Sequence, residues 1–260
     1  MRPNTVRARL KTGATTYGIM AAEFFTPGFC QIAANAGAEF VIFDMEHGAV
    51  GIDILKAQIA FARGTGIAPF VRVPGLAYHL IAPVLDAGAM GIMVPMIESR
   101  EQAESLARWC RYRPEGVRGL GFGVGHDDYR GGDIVTAMRE ENERILVIAL
   151  IETETGIANA DAILSVPGID VGWMGHYDLT NTMGITAEFS RPEFHAAVDE
   201  LVVACKKYQK APGYLATNVA MAREWRAKGF RCLCYGTDIG VFQGALSNAL
   251  QSLKSDSADA

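Results

Sequence analysis

The acids and bases that could do chemistry in this 260-residue chain sit where apolar runs end. FVIFDMEHG closes on Asp44, Glu46 and His47; PFVRVP carries Arg72; VPMIES reaches Glu98; ALIETETG reaches Glu152; WMGHYDLT supplies His176 and Asp178; YGTD ends on Asp238. A single acid in such a place more often caps a helix or pairs with an arginine than does chemistry. Glu152 and Asp178 are different, because each follows a strongly apolar run and the two runs are consecutive. Two carboxylates converging there repel, raise one pKa, or hold a cation. Neither motif contains a lysine, so a hard divalent cation with oxygen ligands is the economical answer. Such an ion keeps waters and leaves positions open for a substrate.

Arg72 stands inside an apolar run, and a buried guanidinium must be paired. It is either half of a structural ion pair with Asp44 or Glu98, or a planar fork that recognises a carboxylate or enolate oxygen. His47 lies between two acids and Gly48, which suits a general acid or base near neutral pH. His176 is close enough to Asp178 to be a ligand or its support, while His79, His126 and His195 carry no assigned role. Lysine decides between two mechanisms, since Schiff-base chemistry needs a desolvated amine in the site. None of the seven lysines is embedded in an apolar strand. A reaction passing through an enolate must therefore draw its electron sink from a metal.

The elements that position these residues are short apolar runs alternating with amphipathic helical stretches. Strands are expected at 17–21, 40–44, 69–73, 91–95, 146–151, 171–175, 213–216 and 232–235. Most are continuously apolar, as parallel strands covered on both faces are. Helical patterns fill 28–36, 52–62, 99–109, 193–209 and 219–228, with Pro27 and Pro192 near helix starts. Eight strand-then-helix units predict an α/β barrel with chemistry at the C-terminal strand ends. A doubly wound open sheet is the alternative, but no G-x-G-x-x-G follows the first strand. Residues 113–143, with RPEGVRGLGFGVG, HDDYRGGD and a charged helix, interrupt the pattern and read as an extended loop of one domain spanning 1–260. Such loops often cover sites, and GLGFGVG is a candidate to shape a pocket.

Composition narrows the function classes. A net charge of −5 leaves no basic footprint for nucleic acid. No apolar run approaches the ~20 residues that span a bilayer, and the basic N-terminus lacks a secretory signal's apolar stretch. Cys30, Cys110, Cys205, Cys232 and Cys234 are scattered and odd in number. Cys232 and Cys234 share one face of a strand and read as small buried hydrophobes, which fits a reducing cytoplasm. The tail SDSADA reads as frayed.

Taken in order, FDMEHG, FVRV, IMVPMIES, YRPEGVRGLG, LIETETG, MGHYDL and APGYLATN resemble the HpcH/HpaI family of metal-dependent pyruvate aldolases over nearly the whole chain. The resemblance implies a (β/α)8 TIM barrel of the phosphoenolpyruvate/pyruvate type. It implies that Glu152 and Asp178 bind Mg²⁺, Mn²⁺ or Co²⁺, and that Arg72 contacts the keto oxygen of pyruvate. His47, supported by Asp44 or by Asp86, would handle protons through a water. Amides around Gly175 and Tyr177 would hold the carboxylate, and Leu215 would line the aldehyde pocket. The implied assembly is a homo-hexamer, a trimer of dimers with C-terminal helices exchanged, in which Asp86 serves a partner's site. The implied reaction is reversible cleavage of a 4-hydroxy-2-oxo acid to pyruvate and an aldehyde.

Two departures from the family pattern stand out. Leu150 replaces a glutamine two positions before the metal glutamate, and G-P-A-D has become Gly175-His176-Tyr177-Asp178. A polar group lost on one wall and gained on another suggests that hydroxypyruvate is accepted along with pyruvate. Rival readings are oxaloacetate decarboxylation, a citrate-lyase-like activity on coenzyme A esters, and an oligomeric barrel that binds a 2-oxo acid without turning it over. The coenzyme reading wants a basic patch, and Arg111, Arg113 and Arg118, the one cluster on offer, read as a solvated loop face.

Overall fold

In the computed structural model, which describes residues 1–256, eight parallel strands pair in chain order and close into a barrel. They are β1 (Thr16–Ala21), β2 (Phe40–Asp44), β3 (Ala68–Arg72), β4 (Gly91–Val94), β5 (Leu146–Ile151), β6 (Val171–Met174), β7 (Ala211–Ala216) and β8 (Cys232–Thr237). Helix α1 (Thr5–Lys11) precedes the barrel, and α2 (Phe29–Asn35), α3 (Ile52–Phe61), α4 (Tyr78–Ala87) and α5 (Arg100–Trp109) follow the first four strands. Then α6 (Ile134–Arg144) leads into β5, and α7 (Glu154–Ala158) with α8 (Ala160–Leu164) leaves it. After β6 come α9 (His176–Thr182) and α10 (Pro192–Lys207), with α11 (Val219–Lys228) after β7 and α12 (Asp238–Asp256) after β8.

All eight expected strands are present, their ends shifted by a residue or two. Helices α1, α4, α7, α8 and α9 have no counterpart among the stretches read from sequence, and α12 answers to the C-terminal helix that the resemblance implies. Helix α4 hides in a nearly continuous apolar run and carries Pro83 inside it. Helices α7 and α8 are five residues each, too short to develop a period. Four residues of the tail read as frayed, 257–260, lie outside the described residues.

Inside the continuously apolar strands a period of two is at work. Phe40, Ile42, Phe70, Leu146, Ile148, Leu150, Val171 and Trp173 belong to the cluster filling the barrel. Val41, Phe43, Val71, Val147, Ala149 and Ile151 belong to the cluster between barrel and helices. Large rings inside the barrel are matched by missing side chains. A Cβ on Gly18 would lie 2.3 Å from the Phe40 ring, and one on Gly213 2.3 Å from that of Trp173. Phe40 and Phe70 stack at 5.3 Å in the space so created. Cys232 and Cys234 also point inward, and burial pushes the Cys232 thiol up to about 12.

The lower end of the barrel is closed by α1, which buries Val6 and Leu10 in the interior cluster. Asn4 fixes it there. Its Oδ1 accepts the Arg7 N–H at 3.0 Å, and its Nδ2 donates to the carbonyls of Met90 and Arg144 at 2.9 and 3.0 Å.

The excursion between β4 and β5 is tied down by a buried charge cluster. Arg118 reaches Asp86 at 2.6 Å and Glu141 at 3.1 Å, Arg144 reaches Glu141 at 2.6 Å, and the Arg118 guanidinium lies 4.7 Å from the centre of the Tyr112 ring. The solvated loop face expected of Arg111, Arg113 and Arg118 is thus corrected, since Arg111 and Arg118 are buried and Arg113 alone is exposed. Buried guanidiniums already committed to carboxylates, Arg118 to Asp86 and Glu141 and Arg111 to Asp170, are not available to a coenzyme's phosphates. Glu141 is fully buried between two arginines, and removing its charge strands both. Glu141→Gln is expected to cost about 3–5 kcal/mol in urea unfolding; a loss under about 1 kcal/mol would show that the cluster does not hold the excursion in place.

Candidate active site

At the upper end of the barrel the inward parity changes from apolar to charged. Asp44 follows Phe40 and Ile42 on β2, Arg72 follows Ala68 and Phe70 on β3, and Glu152 follows Leu146, Ile148 and Leu150 just past β5. These side chains meet above the apolar filling. A cavity of about 360 Å³ opens there, lined among others by His47, Arg72, Glu152, Trp173, Asp178 and Leu215.

Asp44 and Arg72 are opposite one another in the β2–β3 register. Arg72 Nε donates to Asp44 Oδ1 at 2.8 Å and Nη2 to Oδ2 at 2.6 Å, while Nη1 lies 3.1 Å from Glu46 Oε2. Burial pulls the Arg72 pKa down, but the hydrogen bond and charge of Asp44, with Glu46 and Glu152 beyond, outweigh it and hold the group above its ordinary value. Of the two partners weighed from sequence, Asp44 is the one found. Glu98 instead accepts the Thr153 hydroxyl at 2.7 Å. The Asp44 carboxylate also receives the Glu46 N–H at 3.0 Å, so it is spent on arginine and main chain rather than on the His47 imidazole. That imidazole is 67% exposed, with Nε2 3.8 Å from Glu46 Oε2. Burial raises the Glu46 pKa, helped by Asp44 and Asp178 and opposed by Arg72 and His47.

Glu152 is the most perturbed carboxyl of the group. It is 4% exposed, and burial, with the charges of Asp178 and Glu46, pushes its pKa to about 7 against the opposing pull of the Met96 N–H and Arg72. Met96 delivers that N–H to Oε1 at 2.9 Å from a left-handed backbone, φ 57°, a conformation costing a β-carbon residue roughly 1 kcal/mol. On the other side, a Cβ at Gly175 would lie 2.5 Å from both Cβ and Oε2 of Glu152. Glycine is needed here for the space the carboxylate takes, and the turn into α9 follows at once. Asp178 stands exposed in the first turn of α9 and adds its charge to that felt by Glu152.

Among the described residues no three His, Cys, Asp or Glu side chains converge as a ready-made metal cage. The donors present are two hard carboxylates, one buried with a raised pKa and one exposed. That set suits a divalent ion that retains several other oxygen ligands, as Mg²⁺ and Mn²⁺ do. The residues fit such an ion.

Beside the acids runs an aromatic wall. His176 is buried and stacks on Tyr214 at 4.8 Å, with Phe189 edge-on at 5.2 Å, and Tyr214 stacks on Trp225 at 4.5 Å. Among the described residues the His176 Nε2 has no hydrogen-bond partner, and burial lowers the pKa of this ring to about 4. Tyr177 is exposed, and its ring lies 4.5 Å from that of His176. The Gly175 N–H, expected to bind a carboxylate, donates instead to the Ile151 carbonyl at 3.2 Å, because the β5–β6 ladder runs one residue further than β6 itself. Among the described residues the amides of His176, Tyr177 and Asp178, which open α9, have no hydrogen-bond partner.

Leu150 and Leu215 line the cavity, as do Met20, Met93, Met174 and Thr237, which were not singled out from sequence. Period-two parity would have found Met20 and Met93. Asp86 does not join them; it sits on α4 with its carboxylate on Arg118. Nor does any residue of the 113–143 excursion line the cavity, so GLGFGVG does not shape it in its own chain. Asp238 is structural, its carboxylate accepting the amides of Ala22, Glu23 and Phe24 at 3.1, 3.0 and 2.7 Å.

The profile of the HpcH/HpaI aldolase/citrate lyase family matches residues 22–245. A hydroxypyruvate/pyruvate aldolase of Roseovarius nubinhibens is 31% identical over 253 residues, covering 97% of this chain and 98% of that protein. A 5-keto-4-deoxy-D-glucarate aldolase of Klebsiella pneumoniae is 30% identical, with 97% of each covered. The crystal structure of an HpcH/HpaI aldolase from Desulfitobacterium hafniense superposes with a TM-score of 0.90 at 26% identity, covering 95% of this chain and 96% of that one.

The buried, neutral His176 makes a stability prediction with a definite sign. In the unfolded chain it takes a proton near 6.5, in the folded protein near 4. The unfolded state thus binds the extra proton first, and stability falls as pH drops through that window. His176→Phe keeps the ring stack and removes the titration. Urea unfolding between pH 7 and 4 is expected to lose up to about 3 kcal/mol more in the wild type than in the variant; parallel pH profiles would contradict the burial assigned to this ring.

Proposed function

The chain belongs to the HpcH/HpaI aldolase/citrate lyase family, and from that premise we propose how its own residues cleave a 4-hydroxy-2-oxo acid. It is an aldolase, a carbon–carbon lyase, like the pyruvate, hydroxypyruvate and keto-deoxy acid aldolases it resembles along nearly its whole length. The observation that carries the reading is the buried Glu152 carboxyl, pushed to about 7 beside Asp178. Glu152 and Asp178 hold a divalent cation, Mg²⁺, Mn²⁺ or Co²⁺, which when bound supplies Lewis-acid stabilisation of charge on the substrate's keto oxygen.

In the cleavage direction the C3–C4 electrons pass to C3 and on toward the keto oxygen, the 4-hydroxyl loses a proton, and an aldehyde leaves. Protonation of the resulting enolate gives pyruvate. Arg72 spends three N–H groups on Asp44 and Glu46 and turns the second Nη2 N–H to the Met20 sulfur at 4.0 Å, which leaves one on Nη1 for the keto oxygen. Asp44 is a positioning residue that fixes this fork. The exposed His47 imidazole is free to turn toward the 4-hydroxyl and move its proton through a water. The amides of His176, Tyr177 and Asp178 at the start of α9 hold the substrate carboxylate. Leu215 faces the aldehyde, Leu150 removes a polar contact from the pyruvate side, and the wall of His176 and Tyr177 admits a hydroxylated donor, so hydroxypyruvate is accepted along with pyruvate.

A coupled assay tests these assignments together. Incubation with a 4-hydroxy-2-oxo acid and Mg²⁺ or Mn²⁺, with lactate dehydrogenase reporting pyruvate, is expected to show release that EDTA abolishes. Glu152→Gln and Asp178→Asn should each lower kcat by at least about a hundredfold, and in the addition direction hydroxypyruvate should replace pyruvate with the same aldehyde. Tight 2-oxo acid binding without pyruvate release would favour a binding barrel. Faster loss of CO₂ from oxaloacetate than any aldol cleavage would favour a decarboxylase.

We also read the protein as a cytoplasmic homo-hexamer, a trimer of dimers with α12 exchanged between neighbours. Five free, buried cysteines accord with a reducing compartment. Among the described residues no helix is long and apolar enough to cross a membrane. Helix α12 presents Val241, Phe242, Leu246 and Leu250 as exposed side chains, more apolar surface than one helix of a monomer normally shows. In such an assembly Asp86, 40% exposed on its own chain, stands ready for a neighbour's site. Light scattering after size exclusion is expected to give six copies, and Phe242→Glu with Leu246→Glu to give smaller species; a monomeric wild type would overturn this reading.

A further inference from the structure

The opposite end of the barrel carries a second charged cavity. Where the chain enters β7 and β8, a space of about 600 Å³ is lined by Lys11, Lys206, Lys210, Lys228 and Arg231, and among the described residues no Asp or Glu lines it. The five cations come from separate stretches of chain: the end of α1, the end of α10, the turn into β7, the end of α11 and the turn into β8. Part of this is ordinary helix architecture. Lys11, Lys206 and Lys228 occupy the last turns of α1, α10 and α11, where a cation offsets the partial negative charge of the helix end. Arg231 is occupied as well, its two Nη donating to the main-chain carbonyls of Leu10 and Lys210 at 2.8 Å each. Lys228 leans out to the exposed Asp199 at 3.0 Å.

Lys210 escapes that explanation. It sits beyond any helix end, half-buried, and burial pulls its ammonium down, with Arg7 and Lys11 adding repulsion against the attraction of Asp170. Asp170 is already committed to Arg7 at 2.9 Å, Arg111 at 3.5 Å and the Val147 N–H at 3.0 Å. Lys11, Lys206 and Lys210 thus face one cavity with no carboxylate in ion-pair contact among the described residues. Mutual repulsion of ammoniums around a shared space is relieved by an anion in that space. Val202 and Pro212 add an apolar patch to the lining for a carbon skeleton.

We propose that this cavity binds a small polyvalent anion, a phosphate ester or a polycarboxylate, at the end of the barrel away from Glu152 and Asp178. Its volume is within the ~300–1,000 Å³ usual for ligand sites. Lysine ammoniums on flexible stems act as point charges that can turn onto phosphate or carboxylate oxygens. Two probes lacking a 2-oxo acid, fructose 1,6-bisphosphate and tricarballylate, separate the two sources. Calorimetric titration of the Mg²⁺-loaded protein at low salt is expected to show one saturable site per chain for at least one of them, and the probe that binds identifies the source. Lys206→Gln/Lys210→Gln should weaken that site at least about tenfold, Asp178→Asn should leave it unchanged, and added NaCl should weaken it. Lys11→Gln/Lys206→Gln, at two exposed positions, gives the same reading should the first pair fold poorly. No saturable binding of either probe, binding by the lysine variants as tight as by the wild type, or loss of binding in Asp178→Asn would each overturn the proposal.

Discussion

The upper end of this barrel is organised by an excess of negative charge that the half-buried guanidinium of Arg72 cannot neutralise. Arg72 is committed twice to Asp44 and once to Glu46, which leaves Glu152 and Asp178 lining one cavity and feeling each other's charge. Removing carboxylates from water is costly unless a proton or a cation accompanies them. Glu152 shows that cost directly, with burial named first among the causes that lift it to about 7. The surroundings of Glu152 hold it in place in spite of this. Met96 adopts a left-handed backbone to give it an N–H, and Gly175 gives up a side chain to give it room.

The packing below makes that arrangement rigid. Pairing Gly18 with Phe40 and Gly213 with Trp173 lets large rings fill the barrel, so the charged layer rests on a floor that cannot subside. The aromatic stack of His176, Tyr214 and Trp225 stiffens the adjoining wall. His176 is neutral there, so it adds shape and a polar edge without adding to the charge imbalance.

Much of this was legible in the sequence, and the parts that were not have physical reasons. Eight apolar runs fixed the number and order of the strands, because burial on both faces leaves a run with no polar interruption. Helix α4 was hidden by the same signal, its apolar residues merging with β4. Glu152, Asp178 and Arg72 stood out because a charge at the end of such a run has nowhere to go but the rim. That same signal could not separate them from Asp238 and Glu98, which end comparable runs and turn out to hold main-chain amides and a threonine hydroxyl. The difference depends on what the next loop offers in space, as with Arg118, whose partners Asp86 and Glu141 come from two helices on either side of it in the chain. The Gly175 amide shows a finer limit, since a ladder one residue longer than its strand decides whether an N–H is free.

The plug formed by α1 has a bearing on how the chain comes together. Asn4 is made before any strand of the barrel, yet the carbonyls it holds belong to Met90 and Arg144. The strand that follows the plug pairs on one side with β2 and on the other with β8, Thr16 lying opposite Cys232. Contacts of such sequence separation carry a large loop-closure entropy and form late. On a ribosome α1 must therefore wait, its apolar face uncovered, until Arg144 has emerged, and the barrel cannot shut until β8 has.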